Sequence, residues 1–292
     1  MSPLFSVVTP VYNGAPFIRD CYESLAEQTF ADWEWVVVDD GSQDGTRAEV
    51  EGLDDARIKL LGYGDNRGRG YARARALEVA TGDWMVVWDA DDLYFPDRLQ
   101  AIAAARDEGY DFFCSYVVVV DNEMEIKGVR GFRMPAVHGL TQAFVHHSLG
   151  VRMDIARVIG YDPAHRAGED AAMILALAAG YRGLFHPHAL TVYQEEREIT
   201  LEKAISSNES QLAQVHAAYR RGIIAQPRPM QWARLVRWRF KLAVLKAMRL
   251  MPGLYRRTVR WRSYGVQEKG WTLSAERRAV FDHIVASAGK TS

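Results

Sequence analysis

The sequence predicts an α/β protein built around a mostly parallel central sheet. Short apolar runs of strand length alternate with helical patterns through the first hundred residues, and no tight hairpin joins one run to the next. Strands separated by helices form βαβ units with right-handed crossovers, and ligands bind at the carboxyl ends of such strands. The acidic clusters of this half of the chain fall at those ends.

The elements follow one another regularly. The first strand is Phe5–Thr9, and the turn-rich segment Pro10–Gly14 closes it. The next predicted elements are a helix over Pro16–Gln28, a strand over Trp35–Val38, a loop over Gly41–Thr46 that leads into a helix, a strand over Arg57–Leu61 and a helix over Gly70–Ala80. The periodicity of the apolar residues distinguishes the helices from the strands.

The strand over Trp84–Trp88 is the most informative, because it runs directly into Asp89-Ala90-Asp91-Asp92. Three carboxylates within four positions repel one another, and an oxygen-rich ligand set suits a hard divalent ion such as Mg²⁺ or Mn²⁺. The alternative is a solvated strand end whose acids begin the next helix, with Asp92 or Pro96 near its N-terminus.

Composition is that of a soluble globular protein of 292 residues, enough for one large domain with an appendage. Cys21 and Cys114 lie in apolar patterns, so we expect two buried free thiols and a reducing compartment. We expect no signal peptide and no membrane span, since no basic leader and no apolar run of about 18 residues is present. A cytoplasmic location follows from these expectations.

Charge divides the chain into two parts. Residues 1–225 contain 21 basic and 34 acidic residues, a net charge of −13, whereas residues 226–292 contain 15 and 3, a net charge of +12. The boundary falls at Gln226-Pro227-Arg228-Pro229, where two prolines interrupt any helix. We therefore predict an acidic domain over 1–225 and a basic, Trp-rich helical extension over 226–292, with different partners.

Two further segments have the composition of a nucleotide site. Asp39-Asp40-Gly41-Ser42 ends the second strand, where Asp oxygens can accept from a ribose or a base and Gly41 permits close backbone approach. The segment Asn66–Arg75 places glycines and arginines at a helix N-terminus, as a diphosphate requires. Each also has an ordinary explanation, since Ser42 or Asp44 would cap the next helix and glycine-rich turns are common.

The order of these motifs closely resembles glycosyltransferase family 2. The matching segments are Val7–Asn13, Val37–Thr46, Asn66-Arg67-Gly68 with Ala72-Arg73, and the Asp-x-Asp motif at Asp89-Ala90-Asp91-Asp92 with Pro96 and Leu99. The resemblance covers roughly residues 4–190. It implies a GT-A fold, with a nucleotide-sugar-binding half over 1–99 and an acceptor-side half over 100–225.

Donor and metal residues are implied by the same resemblance. Asp39 would contact the base of the donor, and the backbone of Thr9-Pro10-Val11-Tyr12 would line that pocket. Asp91 would bind Mn²⁺ or Mg²⁺ at the diphosphate, with Asp89 supporting the metal or touching the ribose. The remaining donor contacts are assigned to Asp40, Asn66, Gly68, Arg73 and Ala90.

The acceptor-side half begins with two strands, Asp111–Val120 and Glu125–Phe132, joined as a hairpin around Asp121-Asn122-Glu123. The next segment, Met134–Val151, has no clear periodicity and contains His138, His146 and His147. Nothing nearby in sequence supplies further metal ligands at useful spacing. Substrate contact or loop packing is therefore preferred to a histidine metal site.

The segment Arg166–Gly180 is predicted to be an apolar helix with Glu169 and Asp170 in its first turn. One explanation is that the two acids only complement the helix dipole, an interaction worth under about 1 kcal/mol. In the resembled family a Glu-Asp pair opens the corresponding helix, and its Asp is the general base. This implies that Asp170, supported by Glu169, deprotonates the acceptor hydroxyl and that transfer inverts the anomeric configuration.

One departure from the family pattern concerns a histidine that many members carry shortly after the strand that follows this helix. The segment Leu190–Thr200 has no histidine. The metal or phosphate contact expected at this point would then come from Glu195, Glu196 or Arg197, or would be absent. Metal geometry and donor preference are less constrained for this reason.

The basic part follows a predicted helix over Leu201–Arg221. A second helix, Met230–Met251, has a charge-free stripe and basic residues around it. The stripe consists of Trp232, Val236, Phe240, Ala243, Val244, Ala247 and Met251. Basic residues with Trp and Tyr, continuing to Trp271, suit an anionic membrane surface. The alternative is a stripe that packs on the catalytic domain or a second subunit; nucleic acid is disfavoured because no reader fold accompanies the charge.

The functional expectation is a cytoplasmic, metal-dependent, inverting glycosyltransferase, peripheral on the inner face of the membrane. It would move a sugar from a nucleotide-sugar donor to a glycan or lipid-linked glycan of a surface polysaccharide. The resemblance implies UDP as the nucleotide of the donor. The sequence is also compatible with a homo-oligomer. One alternative is a catalytically idle GT-A domain acting as a membrane-bound assembly partner. A sugar nucleotidyltransferase ranks lower, because Pro10–Phe17 lacks the basic residues such an enzyme needs.

Overall fold

A computed structural model describes residues 2–131, 144–164, 168–194, 200–251, 253–255 and 273–288. Nine strands of these residues form a single sheet. The strands are β1 (Phe5–Val11), β2 (Trp33–Asp39), β3 (Ile58–Gly62), β4 (Trp84–Val87), β5 (Leu93–Tyr94), β6 (Phe112–Val120), β7 (Ile126–Arg130), β8 (Gly150–Arg152) and β9 (Gly183–Gln194).

Helices lie on both sides of this sheet. They are α1 (Ala15–Ala26), α2 (Thr46–Glu51), α3 (Arg69–Val79), α4 (Arg98–Asp107), α5 (Met153–Ile159), α6 (Ala171–Gly180), α7 (Leu201–Arg220), α8 (Arg228–Ala247) and α9 (Ala275–Ser287). Short 3-10 helices cover His146–Ser148 and Met248–Leu250. The two large apolar clusters each combine strand residues with residues of different helices, which is the layered arrangement of an α/β fold.

The strand order is β3-β2-β1-β4-β8-β6-β9-β5, with β7 on the edge of β6. The first four strands of this order are parallel throughout, as the sequence predicts. Antiparallel β8 then joins β4 to β6, and β6 pairs in parallel with β9. Every residue of β1 and β2 is buried, because helices cover both faces of the parallel half. The carboxyl ends of β1, β2 and β4 consequently lie side by side.

Most predicted elements are present with small shifts at their ends. The hairpin is confirmed, since β6 and β7 pair antiparallel. Cys21 and Cys114 are buried free thiols, as expected. Two short strands, β5 and β8, were not predicted, because two or three residues cannot display a periodicity. Helix α6 begins at Ala171, so Glu169 and Asp170 precede the helix rather than occupying its first turn.

Some sequence predictions concern residues outside the described ranges. These are His138 and most of the segment before Phe144, Arg166 and Ala167, the candidate contacts Glu195, Glu196 and Arg197, and the basic stretch from Arg256 to Trp271.

The described parts of the predicted extension pack on the rest of the chain. Helix α8 lies against α7 and buries Trp238, whereas α9 buries Phe281, Ile284 and Val285 in the cluster that includes β1 and β2. At the start of α9, Arg277 makes two hydrogen bonds to Asp97, of 2.8 and 2.5 Å. The division at residue 225 therefore stays a prediction based on charge and composition.

In the part of the chain that the structure describes, no helix combines the length and the apolarity needed to cross a bilayer.

Candidate active site

The loops that follow β1 and β2 are hydrogen-bonded to each other and form one rim at the carboxyl edge of the sheet. The Asn13 amide donates to Ser42 Oγ at 2.9 Å, and Asn13 Oδ1 accepts from the Gln43 amide at 2.8 Å. The Asp40 amide donates to the Val11 carbonyl at 2.7 Å. These bonds hold the first two sequence motifs in a fixed relation.

Asp39 and Asp40 have different surroundings at the end of β2. Asp39 Oδ1 accepts from the Ser42 amide at 2.9 Å, which closes a local turn. Both oxygens of Asp40 face the third motif, where they accept from Tyr63 Oη at 2.7 Å and from the amides of Arg67 and Gly68 at 2.8 Å. These bonds make Asp40 the residue that holds the Arg67–Gly68 loop, and its predicted contact with the donor stays a prediction.

Two glycines permit this arrangement. Gly41 has a φ of 76°, and a Cβ there would lie 2.6 Å from the Asp65 carbonyl carbon and 2.8 Å from the Asn66 nitrogen. Gly68 has a φ of 95° immediately before α3. Left-handed backbone of this kind is accessible to glycine at little cost. The glycines of both motifs thus bring the β2 end and the α3 N-terminus together.

The rim at β1 presents backbone rather than side chains. Thr9 is fully buried, and its Oγ1 accepts from Trp35 Nε1 at 2.8 Å, inside the sheet. Pro10 and Val11 are also buried, whereas Tyr12 is 48% exposed. That the backbone of this segment lines a donor pocket stays a prediction, and Tyr12 is its accessible side chain.

Arg73 connects the donor motifs to the acid pair before α6. It projects from α3, is only 2% exposed, and its Nη2 donates to Asp89 Oδ1 at 2.6 Å. Its Nη1 donates to Glu169 Oε1, and Arg69 lies 3.5 Å from the same oxygen. Asp89 and Glu169, which lie 16 and 96 positions from Arg73 in the sequence, thus bind the same guanidinium group. The sequence predicted Arg73 as a donor contact; its bonds make it the bridge between the two acidic motifs.

The charges of this bridge stabilise one another. Burial by itself raises the pKa of Asp89, but Arg73 and the other nearby basic groups outweigh it and hold that pKa well below its ordinary range. Burial lowers the pKa of Arg73, and Asp89 and Glu169 together raise it far above its usual value. Asp89 is therefore a carboxylate and Arg73 a cation at any physiological pH. The main chain of Asp89 is fixed as well, since its amide donates to Tyr94 Oη at 2.6 Å.

A group with ligand atoms suited to a metal lies beside this bridge. It comprises Asp89, Asp92 and His147, whose ligand atoms all lie within 4.8 Å of one another. The expectation that the histidines have no ligand neighbours is wrong for His147, because the fold brings the 3-10 helix against the end of β4. Asp91, the predicted metal ligand, is exposed in the turn after β4 and is not a member of this group.

His147 has the properties of a metal ligand. It is 8% exposed, and its ring stacks on Tyr193 at 4.7 Å between centroids. Burial lowers the pKa of His147 to about 3, so the imidazole is neutral at pH 7. Its Nδ1 lies 3.7 Å from Asp92 Oδ2, and no described group hydrogen-bonds its Nε2. The 4.8 Å spread is slightly more than twice a metal–ligand distance of roughly 2.1 Å, so a small side-chain adjustment would close the group on an ion.

Two buried residues that sequence reasoning did not single out support the site. Arg98 donates to the carbonyls of Val87 and His147 at 2.9 and 3.0 Å, which ties β4 to the 3-10 helix. Tyr161 Oη lies 2.9 Å from His146 Nε2, near Arg73. The sequence offered one signal for Arg98, an arginine among the apolar positions of α4. It could not indicate the partners, because Val87 and His147 lie 11 and 49 residues away along the chain.

A tight turn presents the acid pair. Gly168 has a φ of 68° and lies against α7, where a Cβ would meet Gln211 Cγ at 2.6 Å. Glu169 is 3% exposed and paired with Arg73, while Asp170 is half-buried at the start of α6 and makes no side-chain capping bond there. Glu169 is thus more than a charge near a helix end. Asp170 is the more accessible of the two acids.

A parallel half-sheet with nucleotide-type loops, an Asp-x-Asp motif and an acid pair across from it define a GT-A type of protein. Solved structures agree in fold: S. aureus TarS residues 1–349 with UDP-GlcNAc matches at a TM-score of 0.63 and 18% identity, over 100% of this chain and 81% of that one. The mannosyltransferase PcManGT of Pyrobaculum calidifontis, in complex with GDP-Man and Mn²⁺, matches at 0.59 and 21%, over 100% and 87%. The model of the glycosyl transferase family 2 matches residues 6–164, more than half of the chain. The protein belongs to glycosyl transferase family 2.

Curated relatives match shorter stretches. The succinoglycan biosynthesis protein ExoO of Rhizobium meliloti is 31% identical over 215 residues, which cover 65% of this chain and 60% of ExoO. The E. coli enzyme WfgD, a UDP-Glc:α-D-GlcNAc-diphosphoundecaprenol β-1,3-glucosyltransferase, is 38% identical over 97 residues, covering 33% of this chain and 38% of WfgD. The chain therefore spans well under two thirds of the length of these relatives.

Proposed function

We propose that the protein transfers a sugar from a nucleotide-sugar donor to a hydroxyl of a glycan or lipid-linked glycan, with inversion at the anomeric carbon, in the synthesis of a surface polysaccharide. The observation that carries the proposal is the Arg73 bridge, which places the end of β4 and the acid pair before α6 around one buried cation. A donor group and an acceptor base need this proximity to act on one bond. Family membership and the relatives ExoO and WfgD support the reaction class and the glycan acceptor.

The donor is assigned to the rim formed by the β1 and β2 loops. Asp39 would accept hydrogen bonds from the base, while the backbone of Pro10–Tyr12 encloses it and the loop held by Asp40 faces the diphosphate. Uridine is the base we propose, in keeping with the UDP-GlcNAc complex of TarS and the UDP-Glc specificity in the name of WfgD. The GDP-Man complex of PcManGT shows that the same fold also accommodates guanosine.

Asp170 is the proposed general base. Its carboxylate would accept the proton of the acceptor hydroxyl as that oxygen attacks the anomeric carbon, and the bond to the nucleoside diphosphate breaks on the opposite face. The buried ion pair between Arg73 and Glu169 anchors the residue next to Asp170, so the base would have a defined position before substrate arrives. Arg69 and Arg73 add positive charge on the side where the diphosphate departs.

A divalent cation, Mn²⁺ or Mg²⁺, fits the end of β4. Asp89, Asp92 and His147 would hold it, and we propose Asp91, exposed in the same turn, as a further ligand. When bound, the cation would neutralise charge on the departing diphosphate. The fit rests on the proximity of the Asp89 and Asp92 carboxylates and the neutral imidazole of His147, and carboxylate oxygens suit Mg²⁺ and Mn²⁺.

We also propose a cytoplasmic location, peripheral on the inner face of the membrane. Support comes from the basic composition of residues 226–292 and from the diphosphoundecaprenol acceptor in the name of WfgD, since undecaprenyl carriers are membrane lipids.

The test separates donor binding from transfer. Thermal shifts with a panel of nucleoside diphosphates and nucleotide sugars, with and without Mn²⁺, should show stabilisation by one nucleotide that requires the metal. Asp91→Asn should lose metal-dependent donor binding, whereas Asp170→Asn should bind donor and fail in transfer. Equal loss of donor binding in both variants would contradict the assigned roles, and no shift with any nucleotide would indicate an idle domain.

A further inference from the structure

Helix α8 has two apolar faces, and the protein uses only one of them. Arg234, Trp238 and Leu245 are buried against the body of the chain, and Trp238 Nε1 donates to Asn208 Oδ1 of α7 at 3.3 Å. Lys246 and Arg249 add ion pairs to Glu209 and Glu202 of α7, each with a shortest distance of 2.6 Å. These contacts fix how α8 is rotated about its own axis.

The second face is exposed. Trp232 is 70% exposed and Phe240 71%, with Val236 at 40% and Val244 at 38% between and beyond them. Four-residue steps keep these side chains on one stripe, which runs along about 18 Å of helix. Leu250 and Met251 extend it at 86% and 57% exposure. Two large aromatic side chains left in water on one stripe are unusual for a monomeric surface.

Charges border this stripe on both sides. At about 100° per residue, Arg237 and Lys241 lie on one flank and Arg228, Arg239 and Lys246 on the other. The helix contains six basic residues and no acidic one. The buried face lies opposite the stripe, so the stripe points away from the body of the protein, while Lys246 on its flank pairs with Glu209 of α7.

We propose that this stripe, Trp232, Val236, Phe240 and Val244 with its flanking cations, is a docking face for an anionic lipid bilayer, on which α8 lies parallel to the membrane plane. The inference rests on the proposed peripheral location and assigns it to one face of one helix. Apolar side chains enter the boundary between headgroups and acyl chains, while cations on both flanks reach lipid phosphates.

Other occupants fit less well. A second copy of the chain meeting the stripe across a two-fold axis would place the rows of cations opposite themselves. A nucleic acid would use the cations but would gain nothing from two valines and an exposed Leu250. An anionic bilayer uses both the charge and the apolar centre.

The experiment measures co-sedimentation of the full chain with phosphatidylcholine vesicles that contain either no phosphatidylglycerol or 30% of it. The wild type should bind only the anionic vesicles, and less at high salt. Trp232→Ser with Phe240→Ser should weaken binding at least tenfold. Arg228→Gln with Arg239→Gln should weaken it by roughly fivefold per charge and reduce its salt dependence.

The matched control is Val158→Ser, which removes a side chain on α5 that is 66% exposed but lies off the stripe. It should bind vesicles as the wild type does. Nucleotide thermal shifts without vesicles, run on every variant, report whether the donor site is intact, so that failure of this inference is separate from failure of the proposed enzyme function.

Two results would overturn the inference. One is a wild type that binds nucleotide but not anionic vesicles. The other is a stripe variant that binds vesicles as the wild type does; if that variant also changes from dimer to monomer in analytical ultracentrifugation, the occupant of the stripe is a second copy.

Discussion

At the scale of single residues, Arg73 carries the arrangement of the site. It is fully enclosed, it has two acidic partners from distant parts of the chain, and both partners belong to motifs with proposed chemical roles. Removing one member of a buried ionic group leaves an uncompensated charge, which costs roughly 3–5 kcal/mol. The residue that we propose to organise the reaction is therefore also important for the stability of the fold.

Arg73→Lys should show both effects, because an ammonium ion cannot hold Asp89 and Glu169 with a planar fork. We expect the Tm to fall by about 5–10 °C and transfer activity to be lost, as measured by thermal unfolding and a donor-turnover assay. The control is Arg75→Lys on the same helix, where an exposed pair with Glu78 contributes under about 1 kcal/mol. Wild-type stability and activity in Arg73→Lys would show that the bridge is incidental.

His147 is the second residue-scale case. His147→Ala should weaken Mn²⁺ binding at least about tenfold, because it removes a neutral buried nitrogen with no described hydrogen-bond partner at Nε2. Titration followed by electron paramagnetic resonance of Mn²⁺ measures this without any turnover. The exposed His188 provides a control, and His188→Ala should bind Mn²⁺ normally. If His147→Ala kept the wild-type Mn²⁺ affinity and Asp91→Asn lost it, the metal ligands would be the carboxylates without His147.

At the scale of elements, the site depends on loops that approach one another without side chains between them. The β2–α2 loop and the β3–α3 loop meet at Gly41, and Asp40 then accepts the first amides of the second loop. Satisfying backbone amides with a buried carboxylate makes a loop behave as a rigid part of the sheet edge. The pocket that we propose for the donor would in this way be formed before the nucleotide arrives.

Gly41→Ala should disturb this pocket. Its Cβ would lie 2.6 Å from the Asp65 carbonyl carbon, and alanine at a φ of 76° is strained by a further roughly 1–2 kcal/mol. We expect weaker nucleotide binding, by at least about tenfold, and a lower urea midpoint. Gly64→Ala is the matched control, because no atom lies within 4 Å of a Cβ at that position. Equal behaviour of the two variants would argue against a preformed pocket.

At the scale of the whole molecule, helix α9 near the end of the chain packs with the first two strands. Helix α9 lies in the cluster that contains β1 and β2, and its Arg277 holds Asp97 at the start of α4, just after the Asp-x-Asp motif. The basic extension defined by charge thus contributes α9 to the apolar cluster of β1 and β2, and α8 to the cluster that includes α6 and α7. Charge composition describes the surface of the extension, whereas its apolar residues determine which part of the chain each helix packs against.

Phe281→Ala tests whether α9 is part of the catalytic body. Truncation of a large aromatic side chain that is 2% exposed should cost about 3–5 kcal/mol. Urea unfolding should show this loss in one transition, with nucleotide binding lost in the same transition. His283→Ala, on the exposed side of the same helix, should change stability by under about 0.5 kcal/mol. A separate early transition, or a loss below 1 kcal/mol, would make α9 an independent appendage.

The sequence by itself determined the α/β class, the parallel half-sheet, the hairpin of β6 and β7, and the family. Periodicity and the order of the motifs are local properties, and a strand covered on both faces has a recognisable apolar run. The motifs at Asp39, Asn66 and Asp89 were correctly expected at one edge, because the carboxyl ends of parallel strands meet there.

Only the tertiary structure decided which side chains meet. The ion pair between Arg73 and Glu169 joins residues that are 96 positions apart. His147 lies near Asp89 and Asp92 because the unpredicted strand β8 pairs with β4. The sequence also left open which apolar face of α8 is covered, and packing against α7 turned Trp238 inward and left Trp232 and Phe240 in water. Periodicity shows that a helix has an apolar face, but the shape of its neighbours determines which face is buried, since burial depends on complementary surface elsewhere in the chain.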